Sequence, residues 1–202
     1  MKTSIASDPA DLRILDLAAE QVRQLGASRL TIVSVAREAG MSHGNVYRYF
    51  PSKEALFDAI SDQWLKPIEA GWRMIADAPD PAFDKLERIV VSAHRSYRDK
   101  LETDPHLFDL YCRSVEEGRS TARKHRNRLQ SDVQRVLEEG MAGNLFDVAD
   151  QRRALALVFD TLYRFMSPIS IRLDREVPRA QMDGRCERCV RLTLRILSSG
   201  RI

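Results

Sequence analysis

The chain has 202 residues, 44% of them hydrophobic and 30% charged, with a formal net charge of +3. This balance is typical of a globular protein with a packed core and excludes a disordered or collagen-like chain, while the small charge excess does not argue for a nucleic-acid partner. The first twelve residues lack the apolar segment of a secretory signal, and the sequence has no run of about eighteen apolar residues that would predict a membrane span. Its three cysteines are too few to frame the fold, which suits a reducing compartment, so we expect a cytoplasmic protein.

Apolar residues recur at helical spacing along the chain, and this pattern predicts an all-α fold without strands. The first helix is predicted to follow an N-cap at Asp8, with Pro9 at its first position, and to end at Gly26. Two short helices come next, the second ending before Pro51, and a long helix begins at Lys53. Further helices are predicted near residues 83–101, 105–116, 119–141, 149–171 and 180–198.

Residues 31–53 read TIVSVAREAGMSHGNVYRYFPSK and predict two short helices joined by a tight turn, a helix-turn-helix. Gly40 permits the positive φ of the turn, Ala36 allows close approach of the helices, and Val46 is predicted to be buried. The second helix begins with the small or polar residues 42–45. Its N-terminal end, with free amide donors, is therefore predicted to face outward and to suit a phosphate or a base edge.

The second helix and the residues after it carry hydroxyl, guanidinium and ammonium groups that can bind a DNA backbone. They are Tyr47, Arg48, Tyr49 and Lys53. Phe50 is assigned to the core. In an alternative interpretation, Tyr47 is a core aromatic as well, because short helix pairs with a glycine turn also occur in helical proteins that do not bind DNA.

The segment resembles the signature of the TetR family of bacterial transcriptional regulators. The resemblance rests on Thr31-Ile32, Val35-Ala36, Ala39-Gly40-Met41-Ser42, Gly44, Val46-Tyr47, Tyr49-Phe50 and Lys53-Glu54-Ala55-Leu56. It implies a homodimeric repressor with a DNA-binding domain at residues 1–52, a connecting helix at 53–77, and a domain at 78–202 that binds a small-molecule effector and dimerises. The expected partners are double-stranded operator DNA, the effector and a second copy of the chain.

The resemblance also implies roles for individual residues at the DNA. The implied contacts are Thr31, Ser42, His43, Gly44, Asn45, Tyr47, Arg48, Tyr49 and Lys53. Thr31 and Ser42 would bind phosphates at helix N-termini, and the tyrosines and the lysine would hold the backbone. His43 and Asn45 would face the major groove, where asparagine pairs with adenine and histidine can donate to guanine. Arg48 stands at a position that varies in the family.

An effector pocket is implied among the fourth, fifth, seventh and eighth helices. Its candidate lining residues, for each of which a core role is an equal alternative, are Trp64, His94, Tyr97, Phe108, Tyr111, Cys112, Phe159 and Tyr163. Such an aromatic lining favours an apolar or amphipathic effector. The helix at 149–171 and the last helix have wider apolar arcs than one core face needs, and they are predicted to form a four-helix bundle between two subunits.

Signals for an enzyme or a metal site are weak. Cys186 and Cys189 have C-x-x-C spacing but lack a second ligand pair nearby, so no metal ion and no cofactor are predicted. The histidines lack metal-site spacing, and no nucleotide-binding glycine motif or nucleophile motif occurs. The chain is predicted not to be an enzyme. A small all-α enzyme and a helical adaptor that binds only protein remain alternatives.

Overall fold

The computed structural model describes residues 9–200, and every regular element among them is an α-helix. The helices are α1 (Pro9–Leu25), α2 (Ile32–Ala39), α3 (His43–Tyr49), α4 (Lys53–Ala76), α5 (Ala82–Thr103), α6 (Pro105–Glu116), α7 (Ser120–Ala142), α8 (Gln151–Met166), α9 (Pro168–Leu173) and α10 (Arg179–Ser199). The predicted all-α fold is confirmed. The predicted N-cap Asp8 lies outside the described residues.

Helix ends in the N-terminal part follow the residues that the sequence singles out. Gly26 and Gly40 have left-handed φ values of +80° and +69° and end α1 and α2. Thr31 caps α2: its hydroxyl accepts the amide of Ser34 at 3.0 Å, and the Ser34 hydroxyl accepts the amide of Thr31 at 3.3 Å. Ser42 caps α3, with Oγ accepting a backbone amide at 3.2 Å. Local sequence therefore sets the two short helices and their turn.

Two prolines affect the helices differently. α4 is continuous through Pro67. The prediction of a single helix at 149–171 is wrong, because the chain divides at Ser167 into α8 and α9. Ser167 has an extended backbone (φ −94°, ψ 121°), since the ring of Pro168 disfavours the helical conformation in the residue before it. The Ser167 hydroxyl then caps α9 by accepting the amide of Ser170 at 3.4 Å.

The chain forms two compact units of helices. The first contains the residues through Leu65 together with 104–123, and the second contains 66–103 and the residues from Lys124 onward. The core of the first unit includes Ile14, Ala18, Val22, Leu30, Val35, Val46, Leu56, Leu107 and Phe108. Compactness does not assign function, so the functional boundaries expected near residues 52 and 77 stay a prediction.

The second unit buries both large apolar side chains and charged ones. Its core includes Trp72, Leu86, Ile89, Val90, Tyr97, Val133, Leu137, Leu162 and Leu194. Lys85, 4% exposed, donates to both carboxylate oxygens of Glu139, at 2.9 and 2.8 Å. Arg98, also 4% exposed, donates to the carbonyls of Asp174 and Val177 at 3.1 and 3.3 Å. Arg98 therefore holds the segment between α9 and α10 in place.

The stretch Gln151–Leu173 is apolar enough, with a mean hydropathy of 1.2 over its best window, to pass a length and composition test for a membrane span. It is broken at Ser167, and 44% of that window is buried inside the protein. Partial burial of this kind is typical of a core helix that also has an apolar outer face.

Candidate nucleic-acid interface

α3 presents polar residues outward from a buried anchor. Val46 has no exposed surface and Phe50 is 8% exposed, so both are in the core as predicted. Residues 42–45 are all exposed, and Tyr47 is 46% exposed. The alternative interpretation of Tyr47 as a core aromatic is therefore wrong, and α3 has the outward polar end that the sequence predicts.

Two basic side chains, one on α3 and one at the start of α4, are held in place by contacts with aromatic rings. Nη2 of Arg48 donates to the hydroxyl of Tyr49 at 3.1 Å, and the guanidinium carbon lies 5.1 Å from the centre of the same ring. Nζ of Lys53 lies 5.3 Å from the centre of the Phe57 ring. Side chains that are already held in place lose less conformational freedom when a ligand binds.

Thr31 and Ser42 have the same arrangement at the starts of α2 and α3. Each is exposed, and each hydroxyl oxygen accepts a backbone amide of its helix. A hydroxyl that accepts in this way retains its own hydrogen, which can be donated to a phosphate oxygen. The two caps therefore serve the fold and also leave a donor for an anionic partner.

Sequence analysis missed two exposed residues of α2, Val33 and Arg37. They lie one helical turn apart and share a flank. On another flank of α2, Gln21 of α1 accepts the Ser34 hydroxyl at 2.7 Å and donates to Glu38 at 2.6 Å. The flank of Val33 and Arg37 therefore faces away from α1. The sequence does contain a signal for this flank, because Val33 is an apolar residue outside the buried register of an amphipathic helix.

Polar contacts tie α6 to the other helices of the first unit. Asp104 accepts Nε of Arg23 at 2.7 Å with one carboxylate oxygen and Nε1 of Trp64 at 3.1 Å with the other. After α6, Arg119 donates to both oxygens of Asp58, at 2.8 and 2.9 Å. Both ends of α6 are thus fixed to the scaffold that carries the helix-turn-helix.

Comparison with protein families gives two matches along the chain. Residues 14–60 match the model of the bacterial regulatory proteins of the tetR family. Residues 82–190, more than half of the chain, match the tetracyclin repressor-like C-terminal domain. The chain belongs to the tetR family. The first match includes the exposed α3 and its two flanking turns.

Relatives of this tetR-family chain include transcriptional regulators. The HTH-type transcriptional regulator RutR of Escherichia coli O157:H7 is 30% identical over 158 residues, which make up 76% of this chain and 63% of RutR. The chain thus spans less than two thirds of the length of that relative.

Two solved structures share the fold of this tetR-family chain. A TetR/AcrR regulator from Thermobifida fusca superimposes with a TM-score of 0.67 and 23% identity over 93% of this chain and 97% of that one. FadR from Bacillus subtilis, in complex with stearoyl-CoA, superimposes with a TM-score of 0.65 and 18% identity over 94% and 98% of the two chains. At these identities the likeness supports the fold.

The eight predicted effector residues are divided equally between the two compact units. Those in the first unit are Trp64, Phe108, Tyr111 and Cys112, and all four are buried. The centre of the Trp64 ring lies 6.4 Å from the ring centres of both Phe108 and Tyr111. The three aromatic residues therefore pack as a core cluster between α4 and α6.

In the second unit, His94 and Tyr97 are buried on α5, while on α8 Phe159 is half-buried and Tyr163 is 60% exposed. Nε2 of His94 lies 3.1 Å from a carboxylate oxygen of Asp183. Burial lowers the pKa of His94, and this effect outweighs the nearby carboxylate, which raises it. Burial therefore favours the neutral form of the His94 ring.

A chain of hydrogen-bonded polar groups joins α4, α5 and α7 within the second unit. Nδ1 of His125 lies 2.7 Å from Oε1 of Glu69, and its Nε2 lies 2.9 Å from the hydroxyl of Tyr97. Arg128 donates to the second oxygen of Glu69, and the Trp72 ring packs 4.9 Å from the His125 ring, centre to centre. Of these, sequence analysis singled out Tyr97 alone, since residues 56 positions apart give no local signal.

The Glu69 carboxylate is expected to make stability depend on pH. Burial raises the pKa of Glu69, but the hydrogen bonds from His125 and Arg128 outweigh burial and hold the pKa below its usual value. A carboxyl with a lowered folded-state pKa stabilises the protein above its unfolded pKa, and this contribution is lost as the pH falls through the folded value. We expect Glu69→Gln to unfold at a lower temperature than the wild type at about pH 7, with the difference shrinking at acidic pH, as the pH falls through the lowered pKa of Glu69.

Thermal unfolding followed by circular dichroism across this pH range measures the effect. Glu176→Gln is the matched control, because the Glu176 side chain is 92% exposed. A Glu69→Gln deficit that keeps the same size from neutral to acidic pH would contradict the assignment.

The C-x-x-C pair is consistent with ordinary helix residues. Cys186 is buried, and burial raises its pKa to about 12. A thiol of this kind is a poor nucleophile and metal ligand at neutral pH. Among residues 9–200, no group of three or more histidine, cysteine, aspartate or glutamate side chains could hold a metal ion.

Proposed function

We propose that the chain is a homodimeric transcriptional repressor that binds operator DNA through α2 and α3 and leaves it when a small-molecule effector binds the C-terminal part. The observation that carries this proposal is the exposed polar end of α3, residues 42–45, held outward by the fully buried Val46. A helix serving the core alone would begin with apolar residues. Membership of the tetR family and the regulators among its relatives support the same function.

Gly44 supports a close approach of DNA at this point. A Cβ added there would meet only the Ser42 hydroxyl, at 3.8 Å, an ordinary contact. Glycine in a helix costs about 1 kcal/mol relative to alanine, and packing does not require it here. A base edge or a phosphate lying against the start of α3 explains why a side chain is missing. His43 and Asn45, on either side, are proposed to read the major groove.

DNase footprinting on the promoter region of the chain's own gene tests DNA binding. The full chain is expected to protect two half-sites of a two-fold symmetric sequence, with centres about 34–36 Å apart or a multiple of that distance. The two half-sites correspond to one α3 from each subunit. Equal protection at all positions, or none, would contradict the proposal.

We propose dimerisation through the outer faces of α8 and α10. Tyr163 on α8 and Leu192 on α10 are 60% and 58% exposed, and Phe159, on the same side of α8 as Tyr163, is half-buried. A symmetric interface would remove these apolar side chains from water. A dimer also supplies the second recognition helix, since one helix as short as α3 contributes little affinity.

Arginine substitutions on these faces are expected to give monomers. Tyr163→Arg and Leu192→Arg would each place a charge in the proposed interface, and sedimentation at micromolar concentration should then give the 23.1 kDa of one chain. Met74→Arg is the matched control, because Met74 is 74% exposed on α4. The wild type and this control should sediment at about twice the single-chain mass. A wild type at 23.1 kDa would contradict the dimer.

The effector is proposed to be apolar or amphipathic and to bind in the second unit. Polar groups lie beside aromatic rings in this unit. They form the series of hydrogen bonds that runs from Arg128 through Glu69 and His125 to Tyr97. FadR, of the same fold, binds the amphipathic stearoyl-CoA in its crystal structure. α4 carries Glu69 and is continuous back to its start just after α3, so a shift of α4 would change the placement of the recognition helices. Since the family that it matches consists of bacterial regulatory proteins, the protein is proposed to act in the cytoplasm.

A thermal-shift screen of apolar and amphipathic metabolites tests the effector proposal. A true effector should raise the unfolding temperature and also release the chain from its operator, because it must favour the state that does not fit DNA. Compounds that stabilise the protein without changing DNA binding would contradict the coupling.

A further inference from the structure

Val33 is an apolar side chain exposed in the first turn of α2. It is 59% exposed, and in the segment 31–53 the other exposed large hydrophobic residue is Tyr47, which has a hydroxyl group. Folding gives no reason for valine here, because a β-branched residue on an open helix face is less favourable than alanine, and an acidic residue would suit the helix N-terminus better. A partner that contacts this position would explain the valine.

The flank that carries Val33 is open to such a partner. The buried face of α2 consists of Ile32, Val35, Ala36 and Ala39. A second flank is bonded to α1 through Gln21, which contacts Ser34 and Glu38. Val33 and Arg37 occupy the remaining flank. In a helix-turn-helix the first helix crosses the DNA backbone while the second enters the major groove, so on bound DNA the first turn of α2 would lie at the edge of that groove.

The major groove presents one apolar group, the 5-methyl of thymine. The two methyl groups of valine can pack against it, whereas phosphates and polar base edges gain nothing from valine. Arg37, on the same flank, is exposed and makes no ion pair in the part of the chain that the structure describes, so its guanidinium is available for the neighbouring phosphate. We propose that Val33 reads a thymine methyl in each operator half-site, an inference that rests on the proposed DNA-binding function.

Methyl removal from the operator tests this inference. In the footprinted operator, each thymine is replaced in turn by deoxyuridine, which lacks the 5-methyl group and keeps the same base pairing. The wild type is expected to lose about fourfold in affinity at one thymine in each half-site, the effect of one buried methyl group. Val33→Ala, which lacks the two methyl groups that make the proposed contact, is expected to bind the thymine and uracil operators equally well.

Two controls separate the contact from a structural effect. Leu12→Ala, at a side chain 43% exposed on α1, should respond to uracil as the wild type does. The unfolding temperature of Val33→Ala should equal or exceed that of the wild type, because alanine is the better helix former.

The outcomes distinguish this inference from the function on which it rests. If the wild type and Val33→Ala respond identically to uracil at every position, the inference is wrong while DNA binding stands. The inference is also wrong if Val33→Ala binds both operators more weakly than the wild type by the same factor. The loss then does not depend on the methyl group. If the wild type protects no specific site, the DNA-binding proposal fails, and the inference fails with it.

Discussion

Replacing Tyr47 and Lys53 together by alanine is expected to weaken operator binding about a hundredfold or more while leaving the fold intact. Hydrogen bonds to charged groups contribute about 1.5–3 kcal/mol each, and the proposed dimer would lose them in both subunits. Tyr47 is exposed, so its removal opens no cavity. Lys53 opens α4, where a positive charge opposes the helix dipole, so its removal does not weaken the helix.

Fluorescence anisotropy with labelled operator at several salt concentrations measures this loss. The slope of log affinity against log salt should also decrease by about 1 for each phosphate contact removed. Lys124→Ala is the matched control: Lys124 is exposed on α7 and makes no ion pair in the described residues. If Lys124→Ala loses as much affinity as the double variant, the loss comes from net charge alone. That result would contradict specific DNA contacts by α3 and α4.

Gly140→Ala is expected to lower the stability of the protein by up to about 3 kcal/mol, which corresponds to about 6–12 °C in unfolding temperature. Gly140 lies in α7, and its carbonyl accepts the amides of Leu145 and Phe146, at 2.8 and 3.1 Å, where the chain folds back. A Cβ at Gly140 would overlap the ring of Phe146, which is 3% exposed, and would lie 3.1 Å from Cβ of Ala82. Because the ring is buried, moving it away from Gly140 would disturb its packing.

Gly71→Ala is the matched control for this substitution. Gly71 lies inside α4, and a Cβ there would meet no atom within 4 Å. Alanine should therefore raise stability by about 0.5–1 kcal/mol through helix propensity. Thermal unfolding of both variants measures the contrast. Equal effects of the two substitutions would contradict the packing described around Phe146.

Much of the N-terminal part follows from local sequence. Gly40 in a left-handed conformation, hydroxyl caps at Thr31 and Ser42, and a buried Val46 all act within a few residues, so their pattern predicts the helix-turn-helix. The outward face of α3 follows from the same pattern, because α3 begins with polar residues while Val46 is apolar and buried.

The rest depends on contacts or on competition between signals. The apolar periodicity of 149–171 predicts one helix, but the extended backbone at Ser167, before Pro168, breaks it into two. The pairing of Glu69 with His125 joins residues 56 positions apart, so no spacing rule reveals it. Val33 lies outside the buried register of α2, a signal that the sequence does contain, but the 59% exposure of its side chain is known only from the structure.

The most direct test of the central claim, that the exposed end of α3 binds a specific DNA sequence, is the affinity of the wild-type chain for its own promoter fragment compared with an unrelated fragment of the same length, at physiological salt. We predict a preference of about a thousandfold or more for the promoter fragment, with both affinities falling as salt rises. Equal affinity for the two fragments, or no measurable binding to either, would contradict the claim.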